Sequence, residues 1–130
     1  MCFGSGEPSE NPDKEIAKIA QVMRAQEPLR FGRMYYRQIS GNGTDFGFPY
    51  GTSYTLAFSR ILYGSEVLVA SNVSQQPRND YVVVDASIHK PGDTMNVLYP
   101  APGSVTIQVA PDATLFVQLK LSGNDFVILR

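Results

Sequence analysis

The sequence predicts a mainly β fold: an antiparallel Greek-key β-sandwich of about eight strands behind one N-terminal α-helix. Three observations predict it. Apolar residues recur with helical spacing between residues 11 and 27, then with period two from residue 31 onward. Clusters of Gly, Pro, Asn and Asp punctuate everything after residue 62. Finally, no helical pattern returns between the strands, which argues against βαβ units.

Met1 to Glu10, rich in Gly, Ser, Pro and Glu, reads as a flexible leader. A helix over 11–27 follows, with Asn11 as N-cap, Pro12 at the first helical position and Asp13 and Glu15 at the positive end of the dipole. Ile16, Ile19, Ala20 and Met23 fall on one apolar stripe, and Pro28 ends the helix near Gln26. The sandwich domain occupies 30–130. Its strands are expected at about 31–39, 54–62, 66–73, 81–88, 94–99, 104–109, 113–121 and 125–130, and Gln76 to Asp80 reads as a turn. The stretch from Phe31 to Leu62 is the most distinctive: two strand-like runs flank a loop, Ser40 to Thr52, that carries Phe46, Phe48 and Tyr50 and is longer than a hairpin needs.

Composition bounds the function. A chain of 130 residues is one domain by size. With 11 basic and 12 acidic residues, the net charge of −1 gives nothing to condense on nucleic acid or an anionic membrane. No apolar run approaches the roughly 20 residues of a transmembrane helix, and the first ten residues lack the features of a secretory signal, so a cytoplasmic protein is expected. Lone Cys2 forms no internal disulfide. One His and one Cys make no metal site, no cofactor motif is present, and His89 reads as a solvent-facing turn residue. Asp45, Asp80, Asp93, Asp112 and Asp125 each sit beside Gly, Pro or Asn and read as turn formers, so no catalytic residue is expected.

The segments NPDKEIAKIAQVMRAQEPLRFG, YYRQISGNGTDFGFPYG, LAFSRILYGSEVLVASNVS and DFVILR, in that order, resemble the C-terminal end of the α-amylase superfamily of glycoside hydrolases. The resemblance covers about residues 11–130. It implies that the helix corresponds to the last helix of a (β/α)₈ barrel and the rest to the all-β domain behind it. Arg60 and Asn72 match an apolar, Arg-containing strand and a following strand that ends in Asn. The family's catalytic carboxylates lie on barrel strands that precede this helix and have no counterpart here.

The expected function is therefore a non-catalytic accessory β-domain standing without its barrel. The helix stripe Ile16, Ile19, Ala20 and Met23 needs a cover: it either folds back on the sandwich or mates with a second copy in a homo-oligomer. One alternative is an α-glucan-binding module, with Tyr35, Tyr36, Phe46, Phe48, Tyr50 and Tyr54 as stacking faces and Asn42, Arg33 and Arg37 as hydrogen-bonding groups. Another is a domain that docks in trans on a separate protein.

Overall fold

The computed structural model describes residues 12–27, 29, 32–49, 51 and 54–130. The expected leader, the Asn11 cap, Pro28, Phe31 and Tyr50 lie outside the described residues, as do the side chains of Ile16 and Met23. Helix α1 spans Pro12–Ala25. Ten strands follow: β1 (Arg33–Tyr36), β2 (Ile39–Ser40), β3 (Thr55–Leu62), β4 (Ser65–Asn72), β5 (Arg78–Val83), β6 (Thr94–Tyr99), β7 (Gly103–Thr106), β8 (Gln108–Val109), β9 (Leu115–Leu121) and β10 (Phe126–Leu129).

The strands form two antiparallel sheets, one ordered β1-β3-β4-β10-β6-β7 and the other β2-β5-β9-β8. β9 sits between β5 and β8, whereas its sequence neighbour β10 sits between β4 and β6, so the last two strands interlock the sheets. The fold class is as the period-two pattern predicts. β3 and β4 make the longest hairpin, with a two-residue turn at Tyr63 and Gly64, both at positive φ, which matches the right-handed twist of the strands.

Two long strands expected from the sequence are each broken in two. The run 31–39 splits after Tyr36: β1 pairs with β3 in one sheet and β2 with β5 in the other, and Arg37 lies at the crossing. The run 104–109 splits at Ile107, a core residue whose amide donates to the Asp93 carbonyl at 2.7 Å; β7 pairs with β6 and β8 with β9. In both cases period-two alternation continues through the bend, so the sequence pattern does not reveal it. The strand expected at 81–88 instead starts at Arg78 and stops at Val83. Beyond it the chain turns, the Asp85 carbonyl accepting from the amides of Ile88 and His89.

The core between the sheets contains Ala57, Leu68, Ala70, Val82, Val84, Met95, Ile107, Leu115, Val117, Leu119, Val127 and Leu129. A second cluster lies on the outer face of the larger sheet, where Ile19 and Val22 of α1 pack with Val67, Tyr99 and Ile128. The helix thus folds back on its own sheet through Ile19, with Ala20 half-buried. This third layer explains why Glu66, Val67 and Leu68 are buried in succession: β4 is covered on both faces and loses alternation.

Asn72, fully buried, ties the ends of the hairpins together. Its Nδ2 donates to the carbonyls of Gln76, Leu121 and Ser122, and its Oδ1 accepts from the amide and hydroxyl of Ser74. The facing turn is packed so closely that a Cβ on Gly123 would sit 2.3 Å from the Gln75 carbonyl oxygen. Only glycine fits there.

Candidate functional site

The exposed apolar surface concentrates at β1 and the loop after β2. Every residue of β1 is exposed, Met34 to 46%, Tyr35 to 42% and Tyr36 to 59%, and Phe48 of the loop is exposed to 60%. Register explains the two orientations. Met34 and Tyr36 pair with Arg60 and Phe58 on the outer side of the sheet, whereas Tyr35 pairs with buried Ser59 on the inner side. Around them lies a shallow groove of about 550 Å³, lined by Met34, Tyr35, Tyr36, Phe48, Pro49 and Leu56 with Arg37 and Ala57. Phe48 and Pro49 also border a second groove of about 320 Å³, to which Ser40, Asp45, Tyr54, Arg78 and Asp80 contribute polar groups.

The structure divides the residues proposed for sugar recognition. Tyr35, Tyr36 and Phe48 share the larger groove. Phe46 lines the smaller one and packs against Phe116, with centroids 5.5 Å apart. Asn42 works inside its own loop: its Oδ1 accepts from the amides of Thr44 and Asp45 and the hydroxyls of Ser40 and Thr44, and its Nδ2 donates to Asp45. Together with the Ile39–Gly47 bridge, these bonds fold residues 40–47 into a compact turn and hold Phe48 in place. Arg33 is exposed.

Beneath the larger groove lies an ionic hub that the sequence analysis missed. Glu66, 2% exposed, receives four donors. Its Oε2 accepts from Arg37 at 3.0 Å and from the Ser59 hydroxyl, and its Oε1 accepts from the Asp85 amide at 3.1 Å and from His89 Nε2 at 2.8 Å. Arg37 also donates to Ser59 Oγ at 2.9 Å, lies 3.6 Å from the Asp85 carboxylate and stands over the Tyr35 ring, so its guanidinium is held from several sides. An ionised carboxylate only accepts, so His89 carries its proton on Nε2. Burial pushes the Glu66 carboxyl up, but the bonds from His89, Ser59 and the Asp85 amide, with the charge of Arg37, outweigh it and leave the carboxyl below its ordinary range. Asp85 is likewise lowered, burial being outweighed by the hydroxyl and amide of Ser87 and by Arg37.

His89 is therefore not the solvent-facing turn residue expected; its ring turns inward because Glu66 offers a buried acceptor. Asp80 is likewise no turn former. It is 2% exposed within β5, accepting from Thr55 at 2.6 Å and paired with Arg78 at 2.7 Å, which neutralises the charge inside the sandwich. Ser59, Glu66 and His89 do not form a nucleophilic relay: the serine is sealed from solvent, and hydroxyl and imidazole bind opposite oxygens of one carboxylate. The signal that could have found the hub is Glu66 itself, the lone acid in the apolar run GSEVLVA.

Among the described residues, no group of three or more His, Cys, Asp or Glu is placed to hold a metal ion, and no helix is long and apolar enough to cross a membrane. No protein-family model matches the chain, and no curated protein matches it. Among solved structures, it is similar in fold to the debranching enzyme from Nostoc punctiforme, at 22% identity and a TM-score of 0.52. That likeness covers 86% of this chain and 20% of the enzyme, so the chain spans about one fifth of the length of its structural relative.

Proposed function

We propose that the protein is a non-catalytic accessory β-domain of the kind that accompanies α-amylase-type enzymes. The observation that carries this is the extent of the fold likeness: nearly all of this chain corresponds to one fifth of a debranching enzyme. The order of sequence segments resembling the end of that superfamily points the same way. In support, the hydrogen-bonding capacity of the hub and of Asn42 is spent within the fold, as suits a buttressing domain. The expected result is no release of reducing ends when the purified chain is incubated with starch, glycogen or pullulan. Hydrolysis that persists through further purification would overturn the proposal.

A second reading, α-glucan binding, is favoured by the exposed rings of Tyr36 and Phe48 beside one groove, since sugar rings stack on accessible aromatic faces. Titration with a long maltooligosaccharide would then shift amide resonances of β1 and the 45–49 loop. The Tyr36→Ala/Phe48→Ala variant should weaken that binding at least tenfold while keeping a dispersed spectrum. Unchanged affinity would remove the groove from consideration.

A further inference from the structure

We propose that Asn42–Gly43 is a self-modification site: the closed loop after β2 holds this pair back from deamidation, and conversion of Asn42 to isoaspartate or aspartate opens the loop that carries Phe46 and Phe48.

The reaction needs no partner but water. The Gly43 amide nitrogen, once it has lost its proton to solvent base, attacks Asn42 Cγ. The N–Cγ bond forms, the Cγ–Nδ2 bond breaks, and Nδ2 takes up a proton and leaves as ammonia. Water then opens the succinimide at either carbonyl, giving aspartate, or isoaspartate with the main chain rerouted through the side chain. A following glycine favours the attack because no Cβ crowds the nitrogen. The fold requires that glycine, since Gly43 stands at φ 82°, in the left-handed region.

The loop restrains each reacting group. The Gly43 amide donates to Ser40 Oγ at 2.9 Å, so the proton that must leave is engaged, and Ser40 is buried. Asn42 Nδ2, the leaving group, donates to Asp45 at 2.7 Å. Its Oδ1 accepts from the amides of Thr44 and Asp45, both at 2.9 Å, which fixes torsions that ring closure has to change. The loop is also seated on the smaller sheet. A Cβ on Gly43 would lie 3.8 Å from the Tyr81 ring, Tyr81 meets Phe116 edge-on, and Phe46 packs against Phe116. Cyclisation therefore waits for local opening.

Deamidation removes what closes the loop. The product has no Nδ2 to donate, so a second carboxylate stands beside Asp45. In isoaspartate an extra main-chain methylene lengthens a segment tied at both ends by the Ile39–Gly47 bridge.

The inference is independent of the accessory-domain reading, and its test reads bond chemistry rather than glucan chemistry. The full chain is incubated in mildly alkaline buffer, and Asn42 is followed by peptide mapping with isoaspartate detection. Its deamidation should run at least tenfold slower in the native chain than in the same chain held in denaturant. Ser40→Ala should raise the native rate at least fivefold with the spectrum retained, and Asp45→Ala, which alters only an exposed side chain, at least twofold. Equal rates in native and denatured chain, or no acceleration in either variant, would overturn the proposal. The deamidated fraction, separated by its added negative charge, should be cut by chymotrypsin after Phe46 at least fivefold faster than the unmodified chain, with exposed Tyr63 as the internal reference. Unchanged cutting would show that the loop survives the conversion and would overturn it too.

Discussion

Replacing Glu66 by alanine is expected to destabilise the fold by about 3–5 kcal/mol, the cost of stripping one partner from a buried charge cluster. The carboxylate is the shared acceptor of Arg37, Ser59, His89 and the Asp85 amide, so its loss removes the acceptor of buried Ser59 and strips a partner from the half-buried Arg37, His89 and Asp85 amide. It also removes one of the groups that hold Arg37, the residue at which the chain passes from one sheet to the other. Guanidinium denaturation should show a lower midpoint at unchanged slope. A midpoint shift worth under about 1 kcal/mol would show that the hub is dispensable.

The same hub sets the acid limit. The Glu66 and Asp85 carboxyls are held below their ordinary values of 4.5 and 3.8, so the folded protein binds fewer protons there than the unfolded chain. Their stabilisation is complete above the unfolded values and is lost as pH falls through the lowered folded ones. Stability should therefore be insensitive to these groups at neutral pH and fall below about pH 4. Glu66→Ala should flatten that decline.

The second large effect is expected at Asn72→Ala, about 3 kcal/mol. The fully buried amide serves three carbonyls and the Ser74 amide and hydroxyl, and alanine would leave more than one of them unpaired at a typical cost of about 1–3 kcal/mol each. Because the bonds join the 73–77 turn to the end of β9, hydrogen exchange should quicken first at Ser74, Gln76 and Asn124. A loss confined to one side of that junction would show that Asn72 caps its own turn only.

Much of the architecture was legible before the structure. The helix punctuation at Pro12, the switch to period two and the turn clusters between strands gave the element order, because each is a local backbone preference. The aromatic face was legible in part. Tyr35, Tyr36 and Phe48 gather at one groove, while Phe46 leans on Phe116 and Asn42 is spent on its own loop. Alternation places a ring on one side of a strand, but which side is buried depends on what another sheet brings against it.

The sequence by itself determined the fold class, the helix and the strand-rich remainder, since propensity and periodicity act over neighbouring residues. Tertiary structure alone decided where strands break, which charges are buried and which surface stays open. The bends at Arg37 and Ile107, the inward turn of His89, and the burial of Glu66 and Asp80 all depend on partners far along the chain. A buried charge is stable only beside the counter-charge and donors that folding supplies.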